Sequence, residues 1–246
     1  HLYCNKKLSL NKIGKIFGCY GSVILNRMKK YGIKRRSIIE SLMLTNKERF
    51  KAISKGVEKY PKTNFNNSKL DMAYLIGFRV GDLHVRKNKH GRIIYISCRT
   101  TKLEQVILIN SLFTNYGSVS IYIYKNGSYM VTVLVNETFN FLLNKKDKIS
   151  PWIIKSKEYF KSFLGGYIDA EGSFGVYKNK PEFTIASYDK KIIFTSYKLI
   201  KKLFNIFPEK PRIFVKKGYT DKRGIVTKND LWGFKIRRIM ELDKFI

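Results

Sequence analysis

Apolar residues recur at helical spacing near the start of the chain and predict two short helices. Ser9 is a suitable N-cap for the first helix, and Gly18 can adopt the positive φ with which that helix ends. The apolar positions of the first pattern are Leu10, Ile13, Ile16 and Phe17. A second helix is predicted from about Gly21 to Lys30, with an inner face formed by Val23, Ile24 and Met28. Two helices joined by a short turn that contains glycine form a helix-turn-helix, so we predict a small all-α domain over residues 1–60.

The second helix and the residues after it carry the polar and basic side chains expected of a DNA-binding helix. Groove contacts are expected from Tyr20, Ser22, Asn26 and Arg27. Phosphate contacts are expected from Lys29, Lys30, Lys34, Arg35 and Arg36. A helix pair that does not contact DNA is the alternative, and the basic cluster favours the DNA-binding interpretation. Residues 61–70, which begin with Pro61 and contain three Asn residues, form the predicted linker.

The rest of the chain repeats one pattern of elements. The helical segment DMAYLIGFRVGDLHV at 71–85 is echoed by YFKSFLGGYIDAEGSF at 159–174, with an offset of 89 residues between the acids that end them. Each segment is followed by an alternating strand pattern, a helical pattern and two further strands. We therefore predict an α+β fold with a pseudo-symmetric, duplicated αββαββ(α) unit, in repeats 71–156 and 157–246. The predicted strands cover residues 92–99, 118–135, 182–188 and 211–238.

Small residues on the two echoed helices predict that these helices pack against each other. At the offset of 89 residues, Gly77 corresponds to Gly166 and Gly81 to Ala170, and small residues four apart lie on one helix face. Parallel packing along these faces would bring Asp82 and Glu171 together at the two helix ends. Two carboxylates there repel each other and the helix dipoles, so a divalent cation such as Mg²⁺ between them would be stabilising. The alternative is that both acids are ordinary solvated helix ends.

The charge of the chain points to nucleic acid as its partner. Lys and Arg number 49 against 18 Asp and Glu, which gives a formal net charge of +31. A surface this basic attracts a polyanion, and we expect double-stranded DNA. No apolar stretch approaches about 20 residues and the first ten residues lack a signal-peptide pattern, so we expect an intracellular protein with no membrane partner. The three cysteines, Cys4, Cys19 and Cys98, are too few and too scattered for a disulfide framework, and we expect reduced, buried thiols.

The segments LIGFRVGDL at 75–83 and LGGYIDAEG at 164–172 resemble the two motifs of the LAGLIDADG homing endonucleases, in their single-chain form. The second copy follows the motif closely, whereas the first departs from it at Arg79, Val80 and Leu83. The resemblance implies a monomeric hydrolase of intron homing that recognises a long DNA site and cuts both strands across the minor groove. It also implies antiparallel, saddle-shaped sheets that lie in the major groove.

The resemblance assigns roles to individual residues. Asp82 and Glu171 match the metal-binding acids, for Mg²⁺ or another divalent cation such as Mn²⁺, and the backbone carbonyls of Gly81 and Ala170 would be auxiliary ligands. A basic residue is expected near each metal site, and Arg99 and Lys190 occupy or lie near these places. Further DNA contacts are expected from Arg86, Lys178, Lys180, Lys216, Lys235 and Arg237.

Two alternatives use the same scaffold. One is an RNA maturase, which would bind intron RNA and assist splicing. The other is a catalytically inactive DNA-binding regulator, in which a cation such as Arg79 near Asp82 would take the place of the metal. The presence of both acids favours the endonuclease over the regulator.

Overall fold

The computed structural model describes residues 1–37, 40, 62–87, 93–177, 179–221, 224–238 and 240–242. The chain divides into two compact units, one formed by residues 1–53 with 122–128 and the other by residues 54–121 with 129–246. Within the predicted domain 1–60, residues 38, 39 and 41–60 lie outside the described residues, so the domain and linker boundaries stay predictions. No helix in the described part of the chain is both long and apolar enough to span a membrane.

The first unit contains the two predicted short helices, α1 (Leu10–Ile16) and α2 (Gly21–Lys30). The Ser9 side chain accepts a hydrogen bond from the Lys12 amide at 3.3 Å, as expected of an N-cap. Gly18 has a φ of +63°, as the sequence predicts for the end of α1. The predicted apolar faces are only partly right. Ile13 and Met28 are buried, whereas Ile16, Phe17 and Val23 are exposed within the described structure.

The second unit contains the duplicated αββαββ unit, apart from residues 122 and 123 at the end of its third strand, which belong to the first unit. The first repeat comprises α3 (Lys69–Gly81), β1 (His84–Lys87), β2 (Ile93–Thr100), α4 (Leu103–Phe113), β3 (Ser118–Ile123), β4 (Tyr129–Asn136) and a 3₁₀ helix (Glu137–Leu142). The second comprises α5 (Pro151–Ile154), α6 (Lys157–Glu171), β5 (Gly172–Tyr177), β6 (Lys180–Ser187), α7 (Lys190–Phe204), β7 (Arg212–Val215) and β8 (Leu231–Ile236). The first repeat thus ends in the 3₁₀ helix, and the second ends after β8 in the described residues.

Each repeat forms one four-stranded antiparallel sheet, in the orders β1-β2-β4-β3 and β5-β6-β8-β7. The central strands alternate in burial, because one sheet face packs on helices and the other does not. In the second sheet, for example, Ile185 of β6 pairs with Phe234 of β8, and both are buried. The opening strands β1 and β5 lie outside the four predicted strand ranges, because β1 is short and β5 contains two glycines, Gly172 and Gly175.

Helices α3 and α6 pack against each other through their glycines, as the sequence predicts. A Cβ on Gly77 would overlap the carbonyl oxygen of Phe163 and lie 2.9 Å from the amide nitrogen of Tyr167. A Cβ on Gly166 would likewise overlap the Tyr74 carbonyl oxygen and lie 3.0 Å from the Phe78 amide. The backbones are therefore too close for any side chain at either position. This contact fixes where the two helices end relative to each other.

The thiols differ in environment from the sequence prediction. Cys98 is buried in β2, but Cys4 is exposed and Cys19 is half-buried, so the expectation of three buried thiols is wrong. Cys4 and Cys19 belong to the small first unit, whose described part buries few side chains, whereas Cys98 faces the helices of the second unit.

Candidate active site

The C-terminal ends of α3 and α6 meet at Gly81 and Ala170. A Cβ on Gly81 would overlap the Cβ of Ala170 and lie 3.0 Å from the Cγ of Glu171. Asp82 is the C-cap of α3, and Glu171 is the last residue of α6. The helix contact therefore brings both acids to one place, as the small-residue pattern predicts, and the charge of Asp82 acts on Glu171.

Asp82 is held by a residue of α4. Its carboxylate accepts a hydrogen bond from the side-chain amide of Gln105. Burial raises the pKa of Asp82, whereas the Gln105 hydrogen bond and the positive charges of Lys102 and Lys145 lower it. Much of the Asp82 surface remains exposed, so solvent weakens these effects.

Glu171 is the more strongly perturbed of the two acids. The pKa of Glu171 is raised to about 7, mainly by burial and also by the negative charges of Asp82 and Asp189. Lys145 acts in the opposite direction. An acid with this pKa is only partly ionised at neutral pH, because burial and the neighbouring carboxylates both disfavour its charged form. A nearby cation would favour its ionised form.

Lys145 supplies such a positive charge, although the sequence did not single it out. Its ammonium lies 3.2 Å from the Asp189 carboxylate and lowers the pKa of both Asp82 and Glu171. Lys145 lies on the loop between the two repeats. Asp147 of the same loop accepts hydrogen bonds from the amides of Lys191 and Ile192, both at 3.2 Å, and so anchors the loop to the start of α7.

Arg79, the residue expected to neutralise Asp82 in an inactive regulator, has other partners. Its guanidinium donates to the carbonyl oxygen of Leu142 at 3.0 Å and to that of Leu83. Burial lowers the pKa of Arg79, with Asp189 opposing the shift. These two bonds explain the departure from the motif, because Arg79 fastens the end of α3 to the end of the 3₁₀ helix.

The two basic residues expected beside the acids have different surroundings. Arg99 is exposed on β2, paired in register with Met130 of β4. The ammonium of Lys190 lies 4.2 Å from the centre of the Trp232 ring, a cation–π contact. The catalytic roles assigned to Arg99 and Lys190 remain predictions, whereas Lys145 carries a positive charge that acts on both acids.

The residues predicted to bind DNA in the first unit are almost all exposed. These are Tyr20, Ser22, Asn26, Arg27, Lys29, Lys30, Lys34 and Arg35. Arg36 differs, because its guanidinium donates to the carbonyls of Lys7 and Leu8 and lies 3.9 Å from the centre of the Tyr3 ring. Arg36 therefore holds the N-terminal segment in the structure, and its assignment to phosphate binding stays a prediction.

The residues predicted to bind DNA in the second unit fall into three groups. Arg86, Lys180 and Lys216 are exposed, and Lys178 lies outside the described residues. Lys235 and Arg237 are both paired with Glu182, and Arg237 also contacts Glu209 at 2.9 Å. Their charges are therefore partly neutralised within the chain, which the sequence did not indicate.

The donor set suits a hard divalent cation. Mg²⁺ binds one or two carboxylates together with water and phosphate oxygens, and Asp82 and Glu171 provide two carboxylates at one place. No cluster of three or more His, Cys, Asp and Glu side chains that could hold a metal occurs within the described ranges. Asp189 is the third acid nearby, but it is paired with Lys145. A metal here would therefore complete its coordination with backbone carbonyls and with ligands from outside the protein.

Comparisons with known proteins identify the fold. No protein-family model matches the chain, and no curated protein matches it. The N-terminal LAGLIDADG domain of DUF199/WhiA is similar in structure, with a TM-score of 0.50 at 17% identity over 74% of this chain and 83% of that one. The chain has the LAGLIDADG fold.

Two other solved structures show weaker similarity to this LAGLIDADG fold. I-DmoI in complex with DNA and Mn has a TM-score of 0.47 at 15% identity, covering 72% of this chain and 94% of that one. I-WcaI bound to its DNA recognition sequence has a TM-score of 0.43 at 14% identity, covering 75% and 85%.

Three residues of the site could not be identified from the sequence. Gln105 lies within the otherwise largely apolar helix α4, and its polarity there was the one available hint. Lys145 is one of three lysines in the loop segment NKKDKIS, and Asp189 is a helix N-cap. The role of Gln105 depends on a contact within the first repeat, and the roles of Lys145 and Asp189 depend on a contact between the inter-repeat loop and the second repeat.

Proposed function

We propose that this protein is a metal-dependent endonuclease that binds a specific double-stranded DNA site and cuts both strands. The observation that carries the proposal is the meeting of Asp82 and Glu171 at the packed ends of α3 and α6, with the pKa of Glu171 raised to about 7. Partly buried carboxylates held together against their repulsion are typical of a functional site. The charge of +31 supplies the attraction to DNA.

Each residue of the site has a proposed part. Asp82 and Glu171 would hold Mg²⁺ or Mn²⁺, with the carbonyls of Gly81 and Ala170 as auxiliary ligands. Such an ion, when bound, would activate water and stabilise the charge that develops on the phosphate. Gln105 orients the Asp82 carboxylate, and Arg79 fixes the helix end that carries it.

Lys145 is the proposed basic residue of the site. Its positive charge favours the ionised form of both acids and would offset the charge that builds up on a scissile phosphate. Arg99 stays a candidate for phosphate contact, since its charge is permanent. One chain carries both acids, so a monomer would contain the complete site.

The remaining DNA contacts extend this proposal along the chain. The exposed basic residues on and after α2 would bind phosphates as part of a helix-turn-helix. Arg86 and Lys180 would do so from strands and Lys216 from the residue after β7. Lys178, which lies outside the described residues, stays a predicted DNA contact. Two linked binding modules gain affinity through effective concentration.

Cleavage of the candidate target tests the proposal. The full chain is incubated with Mg²⁺ and a plasmid carrying its own coding locus from which the intervening element has been removed. We expect a double-strand cut that Asp82→Asn and Glu171→Gln abolish. Asp71→Asn and Glu158→Gln, which remove an acid from the opposite end of each helix, should retain the cut. Binding of the same DNA without any cut would contradict the proposal.

A catalytically inactive DNA-binding regulator is a second candidate, favoured by Lys145. Its ammonium acts on both acids and could serve as their permanent counter-charge. In that case the protein should bind no Mg²⁺ at this site, and calorimetric titration of the protein with Mg²⁺ would show no binding. Mg²⁺ should then also leave DNA binding and protein stability unchanged. The RNA maturase stays an alternative, and stimulation of intron splicing by the protein would favour it.

A further inference from the structure

The second sheet carries a cluster of charged residues on its outer face, which is the face turned away from the helices. Along β6, the buried residues Phe183 and Ile185 alternate with Glu182 and Thr184, so the latter two belong to the outer face. Thr184 is paired in register with Lys235 of β8. An acid on this face stands out, because a surface that binds DNA is expected to be basic.

Glu182 is bound by three neighbours. Its carboxylate accepts from the Lys235 ammonium at 2.6 Å, from the Thr184 hydroxyl at 3.1 Å and from the guanidinium of Arg237. Hydrogen bonds from Lys235 and then Arg237 lower the pKa of Glu182 to about 2. Glu182 is therefore an ionised, acceptor-only group at all ordinary pH values, held in one position. We call Glu182, Lys235 and Arg237 the Glu182 cluster.

Space for a ligand lies directly beside the Glu182 cluster. A cleft of about 210 Å³ is lined by Tyr177, Lys180, Pro181, Glu182 and Arg237. Gly175 of β5 is the register partner of Glu182, and a Cβ at Gly175 would have no heavy atom within 4 Å. The absence of a side chain at Gly175 thus leaves this part of the outer face open. An aromatic ring, two cations and a carboxylate together line the opening.

The chemistry of the Glu182 cluster matches one base pair. In the major groove, cytosine presents the N4 amino donor, and guanine presents two neighbouring acceptors, O6 and N7. Glutamate suits the cytosine donor, and arginine or lysine suits the guanine acceptors. Adenine is read by the amide side chains of Asn and Gln, which are absent from the Glu182 cluster. A fixed acceptor next to fixed donors is the complement of C·G.

We propose that the Glu182 cluster reads a C·G base pair, with Glu182 accepting from cytosine N4 and Arg237 donating to guanine O6 and N7. Lys235 holds the Glu182 carboxylate in place and neutralises part of its charge. The ion pairs pre-organise the reading groups, so little side-chain entropy is lost on binding. The inference rests on the proposed function, because it requires DNA along the outer face of β6 and β8.

Selection from a library of randomised double-stranded DNA tests this inference. The full chain is used in buffer with EDTA, so that binding is measured without cleavage. Wild type should enrich a sequence motif that contains a strongly preferred C·G pair. Glu182→Gln should reduce the preference at that one position by roughly 5- to 150-fold and leave the other positions unchanged. Arg237→Gln, at an exposed position, should lose the preference at the same base pair.

The control is Glu158→Gln, which makes the same charge change on α6 and should keep the complete motif. Thermal unfolding of each variant confirms that it is folded. If Glu182→Gln does not fold, the selection with Arg237→Gln tests the inference. An unchanged motif in folded Glu182→Gln and Arg237→Gln would overturn the inference and leave the proposed function intact. If wild type selects no motif at all, site-specific DNA binding fails, and the inference fails with it.

Discussion

At the scale of single residues, Glu171 links the site to the stability of the protein. Its folded-state pKa of about 7 exceeds the ordinary value of 4.5 for this side chain. Between these two pH values the folded chain binds more protons than the unfolded chain. The free energy of unfolding therefore falls as the pH rises through this window.

Glu171→Gln should remove this loss of stability. We expect the variant to be more stable than wild type by about 1–3 kcal/mol at pH 8 without metal, after allowance for solvent screening. Near pH 4 the difference in stability should nearly disappear, because Glu171 is then mostly protonated in both states. Urea unfolding at both pH values provides the measurement, with Glu158→Gln as the control. Equal stability at pH 8 would show that Glu171 ionises without cost.

Lys145 should set the pH range of cleavage. It lowers the pKa of both Asp82 and Glu171, so Lys145→Ala should raise both values and move the rise of the cleavage rate to higher pH. We also expect a rate at least about tenfold lower, because a cation near the developing phosphate charge is lost. Lys146→Ala removes the neighbouring lysine of the same loop and should change neither property. A pH profile of single-turnover cleavage for both variants is the test; identical profiles would remove Lys145 from the mechanism.

At the scale of elements, the glycines of α3 and α6 should determine whether the site forms. A side chain at Gly166 would overlap the backbone of α3, so Gly166→Ala should destabilise the protein by about 1–3 kcal/mol or more. Gly165→Ala is the matched control one position earlier, because its Cβ would lie 3.8 Å from the nearest atom of Tyr74, an ordinary contact. We expect this control to be neutral, or to stabilise α6 by about 0.5–1 kcal/mol. Equal behaviour of the two variants in urea unfolding would argue against the close helix contact.

The sequence predicted these two helices and their contact because the information is local. Gly77 and Gly166 each destabilise the helix that contains them. Because these glycines occur at equivalent positions of the two repeats, they indicated that the helices pack closely. The partners of the two acids were harder to predict from the sequence, because Gln105 and Lys145 belong to chain segments that are distant in sequence. The same reason applies to the intramolecular partners of Arg36 and Lys190, which are carbonyls for Arg36 and the Trp232 ring for Lys190.

At the scale of the whole molecule, the net charge of +31 should make DNA binding strongly dependent on salt. With on the order of ten phosphate contacts, the slope of log K against log salt concentration should be near −9. Replacing Lys29, Lys30 and Lys34 with Gln should make this slope shallower by about 2.7, because each lost contact contributes about 0.9. Fluorescence anisotropy at several KCl concentrations measures the DNA affinity and hence this slope. An unchanged slope would show that the basic residues on and after α2 do not bind phosphates.

The central claim is that Asp82 and Glu171 share one divalent cation. Anomalous diffraction from crystals soaked in Mn²⁺ tests it most directly, because the signal locates the metal independently of any activity. We predict an anomalous peak between the two carboxylates in wild type, and no peak there in Asp82→Asn. A wild-type site without a peak, with the Lys145 ammonium bound between the two acids, would contradict the account.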